Sequence, residues 1–138
     1  NSYADRVIKN FKEIGSQAKF YGFKNHEFVE RKMKTASIIV IPSIWDEPFG
    51  LVAAEAMSNG ISIIASKVGG MPEIIGDNGI LIENINYKKL RKNLIELLKN
   101  NSLRENYQQK AWKNFKLSSA LSSKKLDDYR KIIFQNYN

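Results

Sequence analysis

The sequence predicts an α/β fold in which a parallel, doubly wound sheet is followed by C-terminal helices. The runs Ile38–Ile41 and Ser62–Ala65 have the length and the β-branched content of buried strands. Segments with helical spacing separate them, and strands that alternate with helices are typical of a parallel sheet. After Asn86 the apolar spacing becomes helical and remains so to the end of the chain.

The part of the chain up to Asn86 contains the predicted strands. Val7, Ile8 and Phe11 fall on one face of a first helix. Gly22 is placed where a short strand would end, and Gly60 where a helix would end. The predicted elements are helices over 3–14, 27–35, 50–59 and 71–75, and strands over 18–21, 38–41, 62–65 and 79–82.

Residues 87–138 are predicted to form a helical tail within the same domain. Leucines at helical spacing mark its first helix. Ser102 and Glu105 have the spacing of a capping box, which would begin the second helix. A last helix would begin at Ser118 or Ser119.

This tail is strongly basic. It contains thirteen basic and four acidic residues, whereas residues 1–86 contain nine basic and ten acidic ones. One interpretation is contact with an anionic membrane surface or an acidic partner. The other is the lysine-rich composition of an AT-rich genome, which the many Asn and Ile residues also indicate. No nucleic-acid-binding motif accompanies the charge, so nucleic acid is not an expected partner.

Length and composition exclude several classes of protein. The 138 residues predict one domain with its own core. The chain has no cysteine for a disulfide or a thiolate metal site, and with His26 as its one histidine no metal centre is expected. No apolar run approaches the ~20 residues of a transmembrane helix, and no secretory signal opens the chain. We therefore expect a cytoplasmic protein, with a peripheral position at the inner face of the membrane as the alternative.

The segment from Glu47 to Met57 is the most informative one. Here a buried strand runs through a loop into a helix, and the first amides of a helix together with its dipole favour an anion, most often phosphate. Gly50 lacks a side chain, so a ligand can approach the backbone closely. Glu47 and Glu55 are eight positions apart, and carboxylates accept hydrogen bonds from vicinal hydroxyls. Phosphate flanked by hydroxyls is the chemistry of a nucleotide sugar.

The residues from Pro42 to Glu73 resemble the motifs of retaining, nucleotide-sugar-dependent glycosyltransferases of family 4. The matching pieces are Pro42–Ser43, Glu47–Leu51, Glu55–Met57 with Gly60, Ile63–Ser66 and Gly69–Glu73, in that order. Upstream, Phe20–Phe23 is similar to the family's strand and loop beside the nucleotide base. The resemblance covers roughly residues 15 to 100. It implies the Rossmann-like C-terminal half of a GT-B fold.

The resemblance also implies roles for single residues. Glu47 would be catalytic, because it would contact the transferred sugar as positive charge develops. Glu55 would hold the ribose hydroxyls, and the amides of the loop before it would hold the diphosphate. The implied donor-binding residues are Gly22, Phe23, Lys24, Phe49, Gly50, Leu51 and Glu55. No metal and no cofactor is implied, since the nucleoside diphosphate sugar is itself the donor substrate.

The chain opens inside a predicted helix, whereas the resembled family begins this domain with further strands and places an acceptor domain before it. We therefore expect residues 1–138 to be a donor-binding domain without its first strands and without the N-terminal domain. The full enzyme would transfer a hexose to a hydroxyl with retention, and the isolated chain would be inactive. The alternative is a catalytically inactive nucleotide-binding or interaction module.

Overall fold

The computed structural model describes residues 3–46 and 48–115, and it divides the chain into two compact units. The first unit ends at Lys32 and the second begins at Met33. Each unit is described by itself below. The predicted last helix of the tail, beginning at Ser118 or Ser119, lies outside the described residues.

The first unit consists of helices and a loop. Helix α1 (Tyr3–Ile14) continues into a 3₁₀ turn, and helix α2 (His26–Met33) begins after Asn25, whose side chain accepts a hydrogen bond from the Phe28 amide at 3.0 Å. The strand predicted over 18–21 is wrong, because these residues belong to no helix or strand. A strand needs a neighbour to complete its hydrogen bonds, and no described segment pairs with residues 18–21.

The second unit contains a parallel sheet with its strands in sequence order. Strand β2 lies between β1 and β3, and Ile39 pairs with Ile63 while Ala65 pairs with Leu81. The elements are β1 (Ile38–Ile41), α3 (Leu51–Ser58), β2 (Ser62–Ser66), α4 (Met71–Ile75), a 3₁₀ turn (Gly76–Asn78), β3 (Ile80–Ile82), α5 (Tyr87–Lys99) and α6 (Asn101–Asn114). The strands and helices predicted between residues 38 and 115 are therefore confirmed, with ends that shift by one or two residues.

Both faces of the sheet are covered, as the doubly wound prediction requires. Successive side chains of a strand point to opposite faces. On one face, Ile63 and Ala65 of β2 belong to a core with the buried residues of α3 and α4. On the other face, Ile64 packs in a core with Ile82 of β3 and Leu97 of α5. Strand β2 is buried along its whole length because it lies between these two cores.

The two C-terminal helices begin at asparagine caps. The Asn86 side chain accepts a hydrogen bond from the Lys89 amide at 3.0 Å, and the Asn100 side chain accepts one from the Leu103 amide at 2.9 Å. The predicted capping box of Ser102 is therefore wrong, since Ser102 lies inside α6. Asparagine caps as effectively as serine, and Asn100 ends one helix and begins the next.

Among residues 3–46 and 48–115, no helix is long and apolar enough to cross a membrane. Within the same ranges, no group of three or more His, Asp or Glu side chains is arranged to hold a metal ion.

Candidate functional site

The candidate site is formed by the loops that leave the carboxyl ends of β1 and β2. In a parallel sheet these ends share one edge, which is where open α/β sheets bind ligands. We call residues 42–50, between β1 and α3, the Gly50 loop, and residues 67–70, between β2 and α4, the Gly69 loop. The donor-binding residues predicted in the second unit, Phe49, Gly50, Leu51 and Glu55, lie on the Gly50 loop and on α3.

The Gly50 loop ends in a left-handed glycine. Gly50 has φ +59° and ψ +43° and is the residue before α3, a conformation that side chains disfavour. Its carbonyl accepts hydrogen bonds from the amides of Ala53 at 2.9 Å and Ala54 at 3.1 Å. The amides that precede these two have no acceptor inside the helix. Gly50 and Leu51 therefore contribute donors at the positive end of the helix dipole.

The Gly69 loop fixes the position of the Gly50 loop. A Cβ atom on Gly70 would lie 2.6 Å from the Pro48 carbonyl oxygen, so only glycine allows this approach. The Gly69 amide donates a hydrogen bond to the Asp46 carboxylate at 3.3 Å. Gly69 itself has a positive φ of +51°. The paired glycines thus hold the loop before the helix.

Asp46 is a positioning residue that sequence reasoning missed. Its carboxylate accepts the bond from Gly69 across the two loops. An acid in a surface loop is common, so the residue type alone gave no signal. The signal lay in its place directly before Glu47 and in the pair of glycines 23 positions later.

Glu55 lies on α3, about 7 Å along the helix axis from Gly50 at 1.5 Å per residue. Its side chain is half-buried. Ala53 and Ala56 are fully buried in the core against the sheet, where small side chains let the helix pack closely.

Phe49 and Leu51 leave most of their side-chain surface exposed, 73% and 67% respectively. Their side chains therefore contribute little to the core, which agrees with a role through backbone amides. Ile44 and Trp45 of the same loop are also exposed. Glu47 lies outside the described residues, so its catalytic role stays a prediction.

Gly22, Phe23 and Lys24 belong to the first unit. Gly22 turns the chain with φ +64°, and the Phe23 side chain is 99% exposed. The Lys24 ammonium lies 5.6 Å from the centre of the Phe28 ring, close enough for a cation–π contact. The structure thus places Phe49, Gly50, Leu51 and Glu55 on one loop and helix, and the three residues predicted beside the base on a loop of the other unit.

Two clefts adjoin these loops. A cleft of about 740 Å³ lies beside Pro48, Phe49, Gly70 and Glu73. A second cleft, of about 440 Å³, lies at the carboxyl ends of all three strands. At its edge the Lys67 ammonium contacts the Glu83 carboxylate at 2.6 Å. The hydrogen bond and the charge of Lys67 lower the pKa of Glu83, and Lys89 adds a smaller contribution in the same direction.

The whole chain can now be compared with known proteins. A family model described as glycosyl transferases group 1 matches residues 5–114. The chain belongs to that family. Glycosyltransferase MJ1178 of Methanocaldococcus jannaschii, itself uncharacterized, is 38% identical over 104 residues, which are 72% of this chain and 29% of that protein. The lipopolysaccharide 1,2-N-acetylglucosaminetransferase of Salmonella typhimurium is 33% identical over 75 residues, 54% of this chain and 20% of that protein.

A solved structure agrees with this glycosyltransferase family. The C-terminal domain of the glycosyl transferase group 1 family protein LpcC from Francisella tularensis superimposes with a TM-score of 0.72 at 27% identity, covering 84% of this chain and 64% of that one. The predicted family and the predicted fold class, the C-terminal half of a GT-B glycosyltransferase, are thereby confirmed. The glycosyltransferase domain described here spans less than a third of the curated relatives named above.

Proposed function

We propose that this chain is the donor-binding domain of a retaining glycosyltransferase, which transfers a hexose from a nucleoside diphosphate sugar to a hydroxyl group. The observation that carries the proposal is the entry into α3. A left-handed Gly50 presents amides at a helix N-terminus, and Glu55 lies further along the same helix. Amides at the positive end of a helix suit a diphosphate, and a half-buried carboxylate suits the hydroxyls of the ribose.

The sugar and the reaction would lie beside Glu47. The carboxylate of Glu47 would stabilise the positive charge that develops on the sugar ring as the bond to the diphosphate breaks. The acceptor oxygen would bond to the anomeric carbon from the face that the diphosphate leaves, and the departing diphosphate would take the proton of that hydroxyl, so the anomeric configuration would be retained. Neither step requires a metal or a bound cofactor. The Salmonella relative, whose name describes transfer of N-acetylglucosamine to lipopolysaccharide, favours a cell-envelope glycan as the acceptor.

Nucleotide binding by the isolated chain tests the donor site. We expect a dissociation constant of millimolar order, roughly −4 kcal/mol, for a diphosphate held by the loop amides and the carboxylate of this domain alone. In an NMR titration with UDP, GDP and ADP, the amides of Gly50, Leu51 and Glu55 should shift together. Lys99, at the end of α5, serves as a remote reference whose amide should not move. If no amide near Gly50 shifts at ~10 mM nucleotide, well above the expected constant, the donor site is wrongly assigned.

A single-turnover assay separates the proposed transferase from its alternative, a module that binds nucleotide without catalysis. The assay joins this domain to the N-terminal half of the protein and supplies a nucleoside diphosphate hexose with a hydroxyl acceptor. Product formation with retained anomeric configuration supports the transferase. Nucleotide binding without any product supports the inactive module.

A peripheral position at an anionic membrane is a separate proposal, which rests on the charge of residues 87–138. In the described part of this tail, Lys88, Lys89, Arg91 and Lys92 are exposed on the first turns of α5. Each basic residue near an anionic surface contributes about 1 kcal/mol, and salt screens the attraction. Anionic vesicles should therefore retain the chain at low salt and release it at ~0.5 M salt. If the chain ignores such vesicles at low salt, genome composition explains the charge.

A further inference from the structure

The second cleft contains a buried hydroxyl without a partner. Ser66, the last residue of β2, is 1% exposed and lines the cleft, and its Oγ makes no hydrogen bond to any residue that the structure describes. Ser62 provides a comparison four positions earlier on the same face of the strand. Its Oγ is equally buried and donates a hydrogen bond to the Arg104 carbonyl at 2.8 Å. Buried hydroxyls are normally paired, so Ser66 requires an explanation that Ser62 does not.

The walls of the cleft decide which ligand could pair with this hydroxyl. We call the space bounded by the strand ends at Ser43–Ile44, Ser66–Val68 and Ile82–Ile85 the Ser66 cleft. Its volume of about 440 Å³ lies within the range of roughly 300–1,000 Å³ that small-molecule sites occupy. Apolar surface comes from Ile44, Val68 and Ile82. Hydrogen-bond donors and acceptors come from Ser66 and from the Lys67–Glu83 ion pair.

The charges at the rim favour a neutral ligand. The Lys67–Glu83 pair is partly exposed and contributes one charge of each sign. Lys89 is already engaged, since its ammonium donates to the carbonyl oxygens of Glu83 at 2.7 Å and Asn84 at 3.4 Å. A phosphate group would meet the Glu83 carboxylate and would have to displace it from Lys67. A purely apolar ligand would leave the Ser66 hydroxyl without a partner.

We propose that the Ser66 cleft binds a neutral, hydroxyl-rich ring, such as a single pyranose or cyclitol unit, with Ser66 as its buried hydrogen-bonding anchor. A ligand hydroxyl can accept a hydrogen bond from the Ser66 hydroxyl and still donate its own proton to another acceptor. Further hydroxyls would meet Lys67 and Glu83 at the rim, and the C–H face of the ring would lie on Ile44 and Val68. None of Phe49, Gly50, Leu51 and Glu55 lines this cleft, so the site does not depend on the proposed donor role of α3.

The test is an NMR titration of the isotope-labelled 138-residue chain with methyl α-glucopyranoside and with myo-inositol. Ligand is added to about 50 mM, because a single ring held by few contacts binds with at best millimolar affinity. The amides of Ser66, Lys67, Glu83 and Asn84 should shift with a common dissociation constant for at least one of the two ligands. Inorganic phosphate is titrated separately as the anionic comparison.

Three variants show whether Ser66 anchors the ligand. Ser66→Ala should weaken binding about tenfold, the effect expected from losing one hydrogen bond in a buried site. Ser62→Ala, the matched control on the same strand face, should leave the affinity unchanged. Glu83→Gln should weaken binding without moving nucleotide-induced shifts at Gly50 and Glu55.

Each of three results would overturn the proposal. The first is that neither ring compound shifts the amides of the cleft. The second is that they shift them equally in the Ser66→Ala variant. The third is that inorganic phosphate shifts them while the ring compounds do not. The nucleotide titration follows different amides. A negative result with the ring compounds therefore does not contradict the proposed donor site, and a negative result with nucleotides does not contradict the Ser66 cleft.

Discussion

The Gly50 loop and the Ser66 cleft lie at the same edge of the sheet but are built from different chemistry. The Gly50 loop depends on the backbone, since two glycines set its shape and amides supply its donors. The Ser66 cleft depends on side chains, with one buried hydroxyl and an ion pair at the rim. A backbone site is disrupted by adding a Cβ atom, whereas a side-chain site is disrupted by removing a hydroxyl. The two regions should therefore respond to opposite kinds of substitution.

The largest effect should come from the two acids of the proposed donor site. In the full enzyme, Glu47→Gln should lower turnover by ~100-fold or more while leaving nucleotide affinity nearly unchanged, because its carboxylate would act on the charge of the transition state. Glu55→Gln should instead weaken nucleotide binding by ~1.5–3 kcal/mol, because the ribose hydroxyls lose a charged acceptor. Single-turnover rates and calorimetric titration with the nucleotide measure the two quantities separately.

Glu96→Gln, on the exposed side of α5, is the matched control for both and should change neither quantity. Equal losses of nucleotide affinity in the Glu47 and Glu55 variants would refute the division of roles.

The next effect tests whether the Gly69 loop holds the Gly50 loop through close backbone contact. Gly70→Ala would bring a Cβ atom to 2.6 Å from the Pro48 carbonyl oxygen. We expect the free energy of unfolding to fall by about 2–3 kcal/mol, as for other forced overpacking, and the nucleotide-induced shifts at Gly50 to disappear. Urea denaturation followed by circular dichroism measures the first effect.

Gly60→Ala serves as the control, because it has a left-handed φ of +62° but no contact closer than 3.6 Å to an added Cβ atom. It should cost about 1–2 kcal/mol through backbone strain alone and should leave nucleotide binding intact. Gly70 has an ordinary φ of −76°, so backbone strain does not contribute to the effect of Gly70→Ala. If this variant loses no more stability than Gly60→Ala, the two loops are not in the close contact described.

A smaller difference in the free energy of unfolding is expected between alanine variants of the two buried serines of β2. Ser62→Ala removes a hydrogen bond and leaves the Arg104 carbonyl without it, so the free energy of unfolding should fall by about 1 kcal/mol. Ser66→Ala removes a hydroxyl that has no partner in the described chain, so stability should stay the same or rise. Thermal or urea unfolding of both variants under one set of conditions provides the comparison. A clear loss of stability in Ser66→Ala would mean that the hydroxyl is already satisfied within the protein, which contradicts the Ser66 cleft as a ligand site.

The contrast between these regions also explains what the sequence could predict. The Gly50 loop was predictable because its requirements are local: a strand, a glycine at a helix start and acids at fixed spacing all lie within 20 residues. The sheet was predictable for the same reason, since β1 and β2 are short apolar runs. The segment 18–21 was also predicted as a strand from local pattern, yet it forms none, because strand formation depends on a pairing neighbour as well.

The Ser66 cleft and the loop tie of Asp46 were not predictable from local pattern. In the sequence, Ser66 is an ordinary polar residue at the end of a strand. In the structure it lines a cleft together with residues from the ends of all three strands of the sheet. Asp46 acquires its role from Gly69, 23 positions away. In both cases the structural feature depends on residues that are distant from one another in the sequence.

The smallest expected effect concerns the ion pair at the rim of the Ser66 cleft. Lys67, at the end of β2, and to a lesser degree Lys89 of α5 hold the pKa of Glu83 below the ordinary value of a glutamate. A carboxylate whose pKa is lower in the folded than in the unfolded state stabilises the fold fully above the unfolded pKa. That contribution is lost as the pH falls through the folded pKa. Both groups are exposed, so solvent screens the pair and the change in stability should be small.

An NMR pH titration of the Glu83 carboxyl carbon measures the shift of its pKa directly. Lys67→Met should raise the pKa of Glu83 towards its ordinary value, and Lys89→Met should raise it less. If Lys89→Met has the larger effect, Lys67 is not the main partner of the Glu83 carboxylate, and the Lys67–Glu83 pair does not define the rim of the cleft.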